Sequence, residues 1–158
     1  MKMKETEQFF EAIRSGDDSS LKQLLTTNPN LVNAKDQRGF TPLIFASYFD
    51  NESATRILLE HQAPVDEKDA SGNTALIGVS FKGNEVLASL LLEHGADINA
   101  INNNGTTPLA FATMYNKEAM VKLLLSKNAD ASITDNEGKT AYIHAKEKGF
   151  SNLEELLA

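Results

Sequence analysis

The chain has 158 residues, 41% of them apolar, so it can bury a core and is not a disordered polypeptide. Its formal net charge is -7, from 22 acidic and 15 basic residues, and no run of Lys and Arg forms a basic patch; nucleic acid and anionic membrane are therefore excluded as main partners. It has no cysteine, which excludes disulfides, thiolate nucleophiles and thiolate metal sites.

The start, Met1-Lys2-Met3-Lys4-Glu5, lacks the apolar h-region of a signal peptide. No apolar stretch approaches the length of a membrane span. Together with the absent cysteine, this predicts a cytoplasmic protein.

Residues 5–35 form a degenerate first unit. Phe9, Phe10, Ala12 and Ile13 open a helix that breaks at Ser15-Gly16-Asp17, and Leu21, Leu24 and Leu25 mark a second. Gly16 to Asp50 and Leu24 to Leu58 are 34 residues apart, whereas Asn33 to Asp66 is 33. One extra residue therefore sits in Thr26-Thr27-Asn28-Pro29-Asn30, and the unit reads as an N-terminal cap.

The next unit, 36–68, opens with the turn Asp36-Gln37-Arg38-Gly39, glycine supplying a positive φ. Thr41-Pro42 reads as an N-cap followed by proline at the first helical position. Leu43, Ala46 and Ser47 begin a short helix that ends near Asp50. Gly83, Asn116 and Gly149 take that place in later units. Gly, Asn and Asp best tolerate a left-handed helix exit. A second helix buries Ile57, Leu58 and Leu59, and Ala63 and Val65 close the unit.

Units 69–101, 102–134 and 135–158 repeat this pattern. Thr41, Thr74, Thr107 and Thr140 are separated by steps of 33. So are Gly39, Gly72, Gly105 and Gly138, and the column Asp36, Asp69, Asn102 and Asp135. Leucine pairs recur at Leu58-Leu59, Leu91-Leu92 and Leu124-Leu125. Each helix is about two to three turns long, too short to stand alone in water. A helix pair cannot bury its apolar face by itself, so the units must stack. The last unit carries Lys146, Glu147, Lys148, Asn152, Glu154 and Glu155 and reads as a C-terminal cap with a polar outer face. With both caps assigned, residues 1–158 are expected to be one complete repeat domain of about five units.

Leu91-Leu92-Glu93-His94-Gly95-Ala96-Asp97-Ile98-Asn99-Ala100 and Gly105-Thr106-Thr107-Pro108-Leu109-Ala110-Phe111-Ala112 carry the pattern best. The pattern resembles the ankyrin repeat over essentially the whole chain. The resemblance implies an all-α repeat solenoid, each unit a helix-turn-helix plus a hairpin loop. The family's histidine after Thr-Pro-Leu is replaced by Ile44, Ile77, Ala110 and Ile143, and its proline by Ala75 and Ala141. Tyr142 stands in place of the leucine. Loop bracing is therefore expected from packing more than from a histidine ladder.

The resemblance also implies where a partner would bind, at the hairpin tips and along the concave side of the first helices. The concave column is then Tyr48, Phe81, Met114 and Glu147, and its neighbour Phe49, Lys82, Tyr115 and Lys148. At the tips stand Gln37, Arg38 and Phe40; Ala70, Ser71 and Asn73; Asn103, Asn104 and Thr106; and Asn136, Glu137 and Lys139. Tyr, Phe and Met are enriched at interface hot spots. The candidate contact set is thus Arg38, Phe40, Tyr48, Phe49, Asn73, Phe81, Asn104, Thr106, Met114 and Tyr115. Phe49 and Phe81 fit a binding role and a packed one equally. Tyr48, Met114 and Tyr115 suit a half-wet surface, and Phe40 at a tip is hard to place in a core.

No catalytic residue, metal ligand or cofactor is expected. His61 and His94 share a column near the end of the second helix, where a cation complements the helix dipole. They lie a repeat width apart, too far to share an ion. His144 is expected at the surface or against a loop. Glu67-Lys68-Asp69-Ala70-Ser71-Gly72 echoes a calcium loop, but its closing position is Gly78, not a carboxylate. Asn51-Glu52-Ser53 and Asn104-Gly105-Thr106 match the glycosylation acceptor pattern, which matters only in a secretory pathway. The function expected is a monomeric scaffold that binds a partner protein along groove and tips, the partner's rim being basic to meet the acidic balance. The alternatives are a self-associating structural module or a small-molecule binder or enzyme accessory.

Overall fold

The computed structural model describes residues 4–158. Met1, Lys2 and Met3, on which the reading of the amino terminus partly rests, lie outside the described residues. Among the described residues there is no strand. The elements are α1 (Glu5–Ser15), α2 (Asp18–Thr27), a 3-10 turn (Pro29–Asn33), α3 (Pro42–Tyr48), α4 (Glu52–Glu60), α5 (Ala75–Lys82), α6 (Glu85–Glu93), α7 (Pro108–Met114), α8 (Glu118–Ser126), α9 (Ala141–Lys148) and α10 (Ser151–Leu157). The fold is an all-α repeat solenoid.

Local chemistry sets these boundaries. The hydroxyls of Thr41, Thr74, Thr107 and Thr140 accept from the amides of Ile44, Ile77, Ala110 and Ile143 and start α3, α5, α7 and α9. Asp17, Asn51 and Asn84 do the same for α2, α4 and α6. The first helices leave through Gly16, Asp50, Gly83, Asn116 and Gly149, all at positive φ, as their residue types led one to expect. The second helices α4, α6 and α8 exit through Gln62, Gly95 and Asn128, also at positive φ. Helix α2 instead runs one residue longer and leaves through Asn28 at φ -142 into the 3-10 turn. That conformation absorbs the extra residue of the first unit.

Neighbouring units pack through both helix layers. The core holds Leu21 and Leu25 of α2, Leu58 of α4, Leu87 and Leu91 of α6, and Met120 and Leu124 of α8, each at most 1% exposed. Small buried residues (Ala46, Ser47, Ser80, Ala112, Thr113 and Ala145) let the first helices approach closely. The hydroxyls of Ser47, Ser80 and Thr113 donate to carbonyls of their own helix, so no polar atom is stranded. Contact along the first-helix layer is dense and along the second-helix layer sparse. The stack therefore curves with α3, α5, α7 and α9 on its inside.

Each hairpin tip is built around one side-chain oxygen. Asp36 Oδ1 accepts from the amides of Arg38 and Phe40, and Asp69 Oδ1 from those of Ser71 and Asn73. Asn102 Oδ1 serves Asn104 and Thr106, and Asp135 Oδ1 serves Glu137 and Lys139. The tips then bond to one another: Ala70 N donates to Arg38 O, Asn103 N to Ser71 O and Asn136 N to Asn104 O, at 3.0–3.4 Å. This is the bracing that a histidine ladder was not available to supply, and it comes from backbone and asparagine rather than from packing alone. The tip glycines make it sterically feasible. A Cβ on Gly72 would lie 2.5 Å from Asn103 Oδ1 and 2.7 Å from Asn103 N, whereas one on Gly138 would meet nothing within 4 Å.

Two predictions follow from the tips. Gly138→Ala should cost about 1–2 kcal/mol, the left-handed penalty alone. Gly72→Ala adds a clash with the next tip and should cost about 2–5 kcal/mol. Urea unfolding of the two variants checks the difference, and equal costs would remove close tip stacking as the reason for glycine.

The second concerns Asp135. Burial opposes its ionisation, but the amides of Lys139 and Glu137 and the His144 ring outweigh it and hold the carboxyl below its ordinary value. His144 Nε2 donates to Asp135 Oδ2 at 2.7 Å, and His144 is 8% exposed, packed on its loop and not at the surface. Because the folded value lies below the unfolded one, near about 3.9, the stabilisation is complete above that pH. It is lost as pH falls through the folded value. Amide-exchange protection of α9 should therefore drop on acidification below about pH 4, and Asp135→Asn should flatten that drop.

Candidate functional site

The inside of the curve carries three residue columns, each stepping by 33 from unit to unit. One is Phe45, Gly78, Phe111 and His144; the second Tyr48, Phe81, Met114 and Glu147; the third Phe49, Lys82, Tyr115 and Lys148. The second and third are the columns expected from sequence. The first was not anticipated, although the same step one helical turn earlier marks it. Phe45 is buried and Phe111 half-buried, and both serve as the floor for the rings above.

The rings form two clusters. Phe45 contacts Phe10 edge-on with centroids 5.6 Å apart, and Phe49 sits 5.0 Å from Phe45. Tyr48 meets Phe49 at 5.4 Å and Phe40 at 6.0 Å. The other cluster joins Phe81 to Tyr115 at 4.5 Å, edge-on, and both to Phe111 at 6.1 Å. Edge-on and offset contacts of this kind hold aromatic rings in fixed orientations.

Phe49 is 52% exposed and Tyr115 50%, so both present large apolar surface to solvent. Tyr48, Phe81 and Met114 are half-buried, each with part of its side chain open to the groove. Phe40 is also half-buried and packs against the core; it is not a free tip residue. Arg38 covers it, the guanidinium carbon 4.2 Å from the ring centroid, while bridging to Asp36 at 2.7 Å. Asn73 is half-buried and Asn104 exposed. Thr106 corrects the expectation for the tips. It is 6% exposed, with its amide and carbonyl bonded to Asn102 at the base of the hairpin, so little of it faces solvent.

Lys82 and Glu147 of the groove columns are paired internally, whereas Lys148 is exposed with no ion pair among the described residues. Lys82 Nζ lies 5.0 Å from the Tyr48 ring and bridges Asp50 at 3.5 Å. Lys139 bridges Glu147 at 3.0 Å, its ammonium held charged above its ordinary range chiefly by that carboxylate. The excess acidic charge lies elsewhere, on exposed residues such as Glu60, Glu85, Glu93, Asp97 and Asp130 of the second helices and their loops.

Among the described residues no group of His, Asp and Glu could hold a metal ion. His61 and His94 each place Nδ1 on a helix-end carbonyl, of Ile57 and Leu90, at 2.8 and 2.9 Å. Asn51, of the first glycosylation pattern, spends its side chain capping α4 and donating to Ile13 O. No helix among the described residues is long and apolar enough to cross a membrane.

A family model for ankyrin repeats (3 copies) matches residues 9–102 and 79–158. A 45-residue stretch is 51% identical to part of the human DNA-binding protein RFXANK, covering 28% of this chain and 17% of that protein. The chain thus spans well under two thirds of that relative's length. The period of the tips, the paired short helices and a family match over nearly the whole chain together place it: the chain belongs to the ankyrin-repeat family.

Proposed function

We propose that this chain is a scaffold that binds a partner protein along the inner face of its curve, with the half-exposed rings as anchors. Ankyrin repeats are generally protein–protein interaction modules, and the family is typically a non-enzymatic scaffold. The observation that carries the reading is the pair Phe49 and Tyr115, each half exposed, flanked by Tyr48, Phe81 and Met114 on three consecutive units. Contiguous exposed apolar surface of this kind marks interaction sites. Arg38 and Asn104 stand exposed at the tips beside it, where polar groups orient a partner.

In this reading residues 1–158 act as one binding unit, monomeric by itself and working in the cytoplasm, with neither nucleic acid nor membrane as main partner. The groove charges of the middle units are already paired, so the acidic surface of the second helices steers a basic partner toward the molecule, and the rings hold it.

The test replaces Phe49 and Tyr115 with a photocrosslinking residue, one at a time, and identifies the captured protein in the native source. With that protein in hand, the double variant Phe49→Ala/Tyr115→Ala should weaken binding at least about tenfold while helical content is unchanged. Unaltered affinity would refute the groove assignment. A stable self-dimer, seen by light scattering and broken by the same variant, would instead favour the self-associating module.

A further inference from the structure

The four hairpin residues Asp36, Asp69, Asn102 and Asp135 all use Oδ1 in the same way, which makes the second side-chain atom a comparison within one molecule. Asp36 Oδ2 holds Arg38. Asn102 Nδ2 donates to Asn73 Oδ1 at 2.9 Å. Asp135 Oδ2 accepts from His144. Asp69 Oδ2 has no partner among the described residues. The neighbouring cations are engaged elsewhere: Lys82 with Asp50 and Tyr48, Arg38 with Asp36, and Lys68 with the carbonyl of Ile101.

His144 follows Asp135 by nine residues, and the residue nine after Asp69 is Gly78. Both helices are capped by the same threonine column, so position 78 relates to Asp69 as position 144 does to Asp135. Where the last unit has an imidazole on its aspartate, this unit has a gap. A cavity of about 220 Å³ opens there, lined by Phe40, Tyr48, Asp69, Asn73 and Gly78 among others. A second of the same volume adjoins it through Tyr48, Asn73 and Gly78 and runs to Phe81, Phe111 and Tyr115. Each is several waters in volume, roomy enough for a five-membered ring.

Gly78 is not required by the backbone. It lies inside α5, without a positive φ, and a Cβ there would meet only Tyr48 Cδ1 at an ordinary 3.5 Å. Glycine within a helix is less stable than alanine. The gap therefore stands against local helix stability, a local conflict of the kind found at functional sites.

We propose that the notch above Gly78 receives a histidine side chain of the partner protein, its ring N–H donated to Asp69 Oδ2 as His144 donates to Asp135. Phe40, Tyr48 and Asp69 line the notch together, so an aromatic insert meets apolar ring surface and a carboxylate. This deepens the groove reading and rests on it.

The test titrates the full chain with imidazole itself, followed by amide shifts in nuclear magnetic resonance. Shifts should concentrate at Asp69, Asn73 and Gly78. Asp69→Asn should weaken binding about tenfold or more, and the loop survives this change because Asn102 already does the same work in the next unit. Gly78→His should fill the notch from within and abolish imidazole binding. Imidazole binding that is indifferent to Asp69→Asn would overturn the site, and tighter binding of butylammonium or propylguanidinium would overturn histidine as its occupant. Partner capture that survives without imidazole binding would refute the notch alone. Imidazole binding without ring-dependent capture would refute the groove reading.

Discussion

Helices of seven to eleven residues gain too little from their own hydrogen bonds to persist in water, so every unit here depends on its neighbours for its fold. Stacking must then hold a register, because buried leucines of α4, α6 and α8 meet across units only when successive pairs align. The hairpin tips supply that register. One aspartate or asparagine oxygen shapes each tip, and each tip after the first donates a backbone amide to the one before. The hydrophobic term drives the units together, and the directional bonds at the tips decide how they meet.

A fixed register has a consequence for the surface. Residues one period apart come to lie side by side, so the inner face becomes a grid of columns. Substitutions at any column change chemistry without moving the scaffold. This molecule uses that freedom unevenly: Phe, Tyr and Met crowd the middle units, Glu147 and Lys148 occupy the last, and Gly78 leaves one square of the grid empty. The same scaffold economy explains why fold follows from sequence here far more directly than function does.

What was legible in the sequence was what local chemistry determines. Threonine caps, proline at the first helical position and Gly, Asn or Asp at left-handed exits each act within a few residues, so their period reveals the fold. The site was only partly legible. Tyr48, Phe49, Phe81, Met114 and Tyr115 fall on the inner face because periodicity alone places them there. Phe45 and Phe111 lay in the same period one turn earlier, but a floor is distinguished from a wall only by which ring lies above the other. Thr106 was misplaced because hairpin position does not reveal which residues turn inward to close the loop onto Asn102. Phe40 was read as a tip residue for the same reason, and the Arg38 guanidinium stacked on its ring is a three-dimensional fact with no sequence period. The extra residue after α2 could be counted, but its settling into a 3-10 turn could not.

The distribution of charge bears on how such a groove selects its partner. Composition alone assigns the molecule an acidic character, and an even spread would make every surface favour basic proteins. The cations of the middle units are instead paired with acids and laid over aromatic rings, Arg38 on Phe40 and Lys82 on Tyr48. A partner entering at those units therefore finds little net field and is judged by shape and apolar complementarity. The uncompensated carboxylates of the second helices act at a distance, over roughly a Debye length of about 8–10 Å, and affect encounter more than residence. Selection in the groove then falls to the few polar atoms left open among the rings. Asp69 Oδ2 is such an atom, and a single acceptor in an aromatic recess discriminates strongly, because an ill-matched insert leaves it desolvated and unpaired.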